Sequence, residues 1–175
     1  MPDCNAKLLI NDPLILFLGH DEVLHGSSDG FFYAGVRFAE YMDRLTWLLG
    51  RHPQVGVVLS RDWVEEVNTE ELALILPLSF RARILGLLPD GSHGKKSLNF
   101  VSAIQDYAVA RRARSWIALT DDTAAWPTEL KKHLVDVRGT RSLLDPEIEK
   151  RLDERLAWLV SRGSKRSTKR SKGRS

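Results

Sequence analysis

The chain has 175 residues, 26 Lys and Arg against 23 Asp and Glu, and a formal net charge of +3. That length suits one domain able to bury roughly 70% of its unfolded surface. Its one cysteine, Cys4, excludes an internal disulfide and a cysteine-based zinc cluster, and no run reaches the roughly 18 apolar residues that a membrane span requires.

Asp3 and the scarcity of positive charge before the first apolar run argue against a secretory signal, so a cytoplasmic location and no membrane partner are expected. Leu14 to Leu18 is wholly apolar, the pattern of a strand buried on both faces. Gly26 to Gly35, rich in Gly and Ser with aromatics, reads as a loop or small hairpin. Val36, Ala39, Tyr41, Leu45, Leu48 and Leu49 recur near helical spacing, with Gly50 as a stop signal. Val55 to Leu59 is a second strand, closed by Ser60. Trp63 to Leu76 reads as a helix with Asp62 at its N-cap and Pro77 ending it. Arg83 to Leu88 is a third strand, closed by the turn Pro89-Asp90-Gly91. Lys95 to Arg112 is a helix with Phe100, Ile104, Tyr107 and Ala108 on its apolar side. Trp116 to Leu119 is a fourth strand, followed by Thr120-Asp121-Asp122. A helical turn begins at Pro127, and Leu134 to Val137 is the fifth strand. Asp145-Pro146 opens a last helix to about Val160, with Pro146 suited to the first helical position.

The domain is expected to span residues 1–161. From Arg162 the chain carries seven Lys and Arg and no acid, leaving 26 − 7 = 19 basic against 23 acidic residues in the body. Residues 162–175 lack hydrophobic side chains and are expected to form a disordered basic tail. Its charges suit nucleic-acid phosphates; the alternative is a solvated, solubilising end.

Short apolar strands alternating with helices imply an α/β fold, a Rossmann-like three-layer sandwich around a mainly parallel five-stranded sheet. Ligands of such sheets bind beyond the carboxyl ends of the strands. Three strand ends carry polar groups: Gly19-His20-Asp21, Ser60-Arg61-Asp62 and Thr120-Asp121-Asp122. Together they could hold a hydrated Mg²⁺, which takes oxygen ligands; the alternative is that they merely cap helices and turns. His20 and His25, with Asp121 and Asp122, offer another donor set, for zinc or manganese. Trp47, Trp63, Trp116, Trp126 and Trp158 either stack on bases or pack the core; Trp126 is the one placed on a loop near the presumed pocket.

LFLGHDEVLHG resembles the first motif of the haloacid dehalogenase (HAD) superfamily, and more narrowly that of the HAD domain of Swiss Army Knife RNA repair proteins, which begins approximately FLDFDGVLH. VVLSRDW, Val57 to Trp63, is similar to the second motif of that branch. WIALTDDTAAWP, Trp116 to Pro127, is similar to the fourth, and LVDVRGTRSLLDPEIEKRLDERLAWL, Leu134 to Leu159, to its closing strand, turn and helix. The resemblance implies a HAD-like fold with a minimal cap and Mg²⁺-dependent phosphohydrolase chemistry. In that chemistry an Asp ending the first strand attacks phosphorus, a second Asp two residues on acts as general acid/base, and the second-motif Ser and a third-motif Lys or Arg hold the phosphoryl group. Carboxylates of the first and fourth motifs hold the metal.

Carried over, the nucleophile falls on Gly19 and the acid/base on Asp21. Glu22 replaces the small residue that follows. Ser60 is retained as a phosphate ligand, while the third-motif cation falls on Phe100, with Lys95 and Lys96 upstream as substitutes. Thr120 replaces the first acid of the fourth motif; Asp121 and Asp122 remain and, with Asp21, are the metal candidates. The resemblance therefore implies a catalytically impaired or inactive relative, a pseudoenzyme in a binding or scaffold role that takes a phosphorylated small molecule, a nucleotide or a partner. A Mg²⁺-dependent hydrolase using water as nucleophile, and a nucleic-acid-associated protein acting through the basic tail, are the alternatives.

Overall fold

The structure, a computed structural model, describes residues 13–19, 35–65, 70, 74–88, 100–123, 126–140 and 142–171, the last stretch as backbone only beyond Arg162. The expected apolar runs form β1 (Leu14–Leu18), β2 (Val55–Leu59), β3 (Ile84–Leu87), β4 (Ser115–Thr120) and β5 (Leu134–Asp136). They make one sheet of order β3-β2-β1-β4-β5 in which every pair is parallel. The chain moves outward from β1 through β2 to β3, then returns to the other side of β1 for β4. The topological switch point, where open parallel sheets place their ligands, therefore lies between β1 and β4.

The alternation of side chains along each strand divides the core in two. Leu14, Leu16 and Leu18 of β1 and Val55, Val57 and Leu59 of β2 face one layer with Ile117, Leu119 and Val135. That layer is covered by α1 (Gly35–Arg51) and α5 (Pro146–Ser171). In α1, Tyr41, Met42, Leu45, Leu48 and Leu49 make one buried stripe; in α5, Ile148, Leu152, Leu156 and Leu159 do the same. Arg51 and His52 meet Asp153 at 3.0 and 3.2 Å, and Arg44 pairs with Glu149, so charged side chains join these helices at their rim. The opposite layer holds Ile15, Phe17, Val58 and Ala118 under α4 (Phe100–Ala110). Gly56 lies on this face because a Cβ there would come within 2.5 Å of the Leu85 side chain.

Several local details differ from the sequence expectation. The helix expected from Trp63 starts as α2 (Asp62–Glu65), with Asp62 inside it; residues 66–69 and 71–73 lie outside the described residues. The described helical residues before Pro77 stop at Ile75, and a short α3 (Leu78–Arg81) follows with Pro77 at its N-cap, where a missing N–H gives up no needed hydrogen bond. The described part of the helix expected from Lys95 begins at Phe100. The turn expected at Pro127 is a 3₁₀ helix, Thr128–His133, and a second one, Ser142–Leu144, precedes α5. Helix α5 runs past Val160 to Ser171, into the segment expected to be disordered. Lys and Arg are good helix formers and suit the negative end of the helix dipole, which offsets the weaker propensity of Gly163 and of the Ser and Thr residues there. Among the described residues no helix is long and apolar enough to cross a membrane.

Candidate functional site

The register places the site. Leu18 lies opposite both Leu59 and Leu119, so the next residues, Gly19, Ser60 and Thr120, form a row across the carboxyl edge at the switch point. Backbone bonds fix the row: Ser60 N donates to Leu18 O at 2.9 Å, and Gly19 N donates to Leu119 O at 2.9 Å. Strand alternation continued by one residue puts all three on the face of Phe17, Val58 and Ala118.

Gly19 is closely overlaid by Thr120. A Cβ at Gly19 would stand 2.8 Å from Thr120 Oγ1, 3.0 Å from Thr120 Cβ and 3.3 Å from Leu119 O. Thr120 is 1% exposed, and its Oγ1 accepts the Asp122 backbone N–H at 3.1 Å. It is β-branched and stiff about its first side-chain torsion. The nucleophile position thus lacks a carboxylate and has a neighbour standing where that carboxylate's first carbon would be. Gly19 O accepts the indole N–H of Trp63 at 3.1 Å, in a buried setting. One of the two lone pairs of this carbonyl is therefore already engaged.

Ser60 is 3% exposed, and its Oγ has no hydrogen-bond partner. Thr123 Oγ1, three residues past the end of β4, is likewise buried and unpartnered. A buried hydroxyl left unsatisfied costs about 1–3 kcal/mol, and such groups commonly serve a ligand or an ordered water. Ser60 belongs to the row itself, and Thr123 follows Thr120 by three residues.

Of the expected metal candidates, two fall among the described residues. Asp121 is half-buried and engaged in interactions, and Asp122 is exposed. Thr120 occupies the remaining acid position, and among the described residues no three His, Cys, Asp or Glu side chains are grouped to hold an ion. Mg²⁺ keeps several waters and needs one or two carboxylates, which Asp121 and Asp122 could supply. Asp21, Glu22, His20, His25, Lys95 and Lys96 lie outside the described residues. Phe100, at the third-motif cation position, packs against the core cluster of α4.

Trp126 was expected near the pocket. It is instead 7% exposed within the α4-side core, and its indole N–H donates to Leu130 O at 3.0 Å. A loop position did not keep so large an apolar surface in water.

The displaced pKa values belong to groups at the other end of the sheet. Burial lowers Arg83, whose Nη1 donates to the His52 and Val55 carbonyls at 3.3 and 3.4 Å. Burial also lowers His133 below 6.5, and the charges of Lys132, Arg162 and Arg155 act the same way against the hydrogen bond to Trp116 O, which raises it. That bond is 2.6 Å long at Nδ1, and the imidazole stacks on the Trp116 indole with centroids 4.4 Å apart.

A family model described as the HAD domain in Swiss Army Knife RNA repair proteins matches residues 15–148, which is 134 of the 175 residues. The chain belongs to this family. No curated protein and no solved structure shows a significant match to it.

Proposed function

We propose that this member of the family binds a phosphorylated ligand at the carboxyl edge of β1, β2 and β4 and does not hydrolyse it. The observation that carries this reading is the contact between Gly19 and Thr120. A nucleophilic carboxylate cannot be present at Gly19, and a Cβ there would meet Thr120 Oγ1 at 2.8 Å. Loss of a nucleophile commonly lowers turnover by about 10⁴ to 10⁶. The unpartnered Ser60 hydroxyl supports the binding half of the reading, because it can donate to a phosphoryl oxygen. Members of the superfamily typically depend on Mg²⁺; here Asp121 and Asp122, with Asp21, are the residues that would hold it.

Two measurements test this. With millimolar Mg²⁺ and p-nitrophenyl phosphate, the purified chain gives no turnover above the buffer. Titration calorimetry with inorganic phosphate and a nucleoside monophosphate gives binding that weakens by about tenfold in Ser60→Ala, the usual loss for one hydrogen bond to a charged group. Turnover that vanishes in Asp21→Asn refutes the proposal and favours a hydrolase with a water nucleophile. Phosphate binding unaffected by Ser60→Ala refutes the assigned ligand contact.

A further inference from the structure

Helix α5 changes character along its length. Its buried stripe is Ile148, Leu152, Leu156 and Leu159. Continued at the same spacing, that stripe falls on Gly163, Arg166 and Arg170, so beyond Val160 the sequence offers no apolar face for packing on the domain. The backbone nevertheless stays helical to Ser171. Within this extension Arg162, Lys165, Arg166, Lys169 and Arg170 follow the spacing i, i+3, i+4, i+7, i+8. On a helix turning about 100° per residue, these five positions share an arc of roughly 140° along about 12 Å of axis. The complementary arc carries Ser164, Ser167, Thr168 and Ser171.

The root of the extension is independently basic. The Arg162 guanidinium lies 4.9 Å from the Trp158 ring centroid, and Trp158 meets His133 edge-on at 5.4 Å. Lys132, Arg155 and Arg162, from two separate elements, converge electrostatically on that imidazole. The body of the chain, by contrast, carries 19 basic against 23 acidic residues. Lys132, Arg155 and Arg162 thus put positive charge beside β5, away from the Gly19–Ser60–Thr120 row.

We propose that Lys132, Arg155 and the last turns of α5 from Arg162 to Arg170 form a cationic ridge that binds the phosphate backbone of a nucleic acid. A file of like charges repeated on each helical turn matches a polymer with closely spaced phosphates, and releasing its condensed counterions drives the association. A bilayer is a poorer fit. No apolar residue occurs from Ser161 to Ser175, so the segment has nothing to insert below the headgroups. The ridge reads charge and not base sequence.

The test uses the full chain, fluorescence anisotropy with labelled 20-nucleotide RNA and DNA, each single-stranded and duplex, and 50 to 200 mM KCl. Five to seven phosphate contacts predict a slope of log affinity against log salt of about −4.5 to −6 on B-form duplex. Replacing Lys165, Arg166, Lys169 and Arg170 by Gln makes that slope shallower by about 3.6. A second variant keeps net charge and composition but moves two cations off the arc: Lys165→Ser with Ser164→Lys, and Lys169→Thr with Thr168→Lys. The ridge predicts at least a fivefold loss of affinity in this exchange variant, with circular dichroism showing the helix content of the parent. Binding that the exchange leaves unchanged overturns the proposal, because total charge and not the helical file would then suffice. Salt-independent binding overturns it as well, and so does capture by phosphatidylserine vesicles without affinity for any of the nucleic acids.

Discussion

Restoring the missing carboxylate with Gly19→Asp is expected to damage the protein without restoring turnover. The new Cβ would sit 2.8 Å from Thr120 Oγ1 and 3.0 Å from Thr120 Cβ, closer than packed side chains tolerate. Thr120 is 1% exposed, so it cannot swing into solvent, and moving its hydroxyl breaks the bond from Asp122 N–H. Overpacking of this kind costs about 1–3 kcal/mol, and the lost hydrogen bond adds about 1 kcal/mol. The expected destabilisation is therefore about 2–4 kcal/mol. Urea unfolding followed by tryptophan fluorescence measures it, and a double-mutant cycle with Thr120→Gly locates its source. In the Thr120→Gly background Gly19→Asp should cost less than about 1 kcal/mol, leaving a coupling of at least roughly 1–2 kcal/mol, in the range of residues in direct contact. If Gly19→Asp costs under about 0.5 kcal/mol, within the usual scatter of harmless substitutions, and shows no coupling, the argument from close approach fails. Aryl phosphatase activity in the single variant would refute it from the other side.

Ser60→Ala removes a buried hydroxyl that has no partner. The ligand-free protein should keep or gain stability by up to about 1 kcal/mol, seen as an unchanged or higher urea midpoint, because only a desolvation cost is removed. Gly56→Ala would place a Cβ 2.5 Å from Leu85 in the same layer. A loss of about 1–3 kcal/mol is expected, with partial rescue by Leu85→Ala, and thermal melts of the three variants decide it. His133 has a folded pKa below its ordinary 6.5. The unfolded chain therefore binds more protons in the window just below pH 6.5, and the contribution of this residue to stability is full above pH 6.5 and lost as pH falls. Urea midpoints at pH 7.5 and 5.5 should fall less in His133→Gln than in the parent chain. An equal fall in both contradicts the sign worked out here.

The sequence by itself determined the layers of this protein. Runs such as Leu14 to Leu18 and Val55 to Leu59 are apolar at every position and too short for a buried helix, which leaves a strand covered on both faces. The stripe Tyr41, Leu45, Leu48 and Leu49 likewise specified a helix packed along one side. The absence of a side chain at Gly19 and the presence of Ser60 were equally plain, because residue type needs no fold to be read. What the sequence did not contain was the distance between residues far apart in it. Gly19 and Thr120 are 101 positions apart, and their contact exists only because β4 returns beside β1 with Leu119 opposite Leu18. Burial at irregular positions was also a tertiary matter. Trp126 on a loop, the orphaned Ser60 hydroxyl and the Gly19 carbonyl held by Trp63 depend on what the rest of the chain lays over them. The end of α5 shows the same division. Its basic composition was legible, but its basic positions share one arc only because the backbone keeps its helical turn past Leu159 to Ser171. Local patterning encodes which surfaces leave water, whereas strand order and register decide which of those surfaces meet.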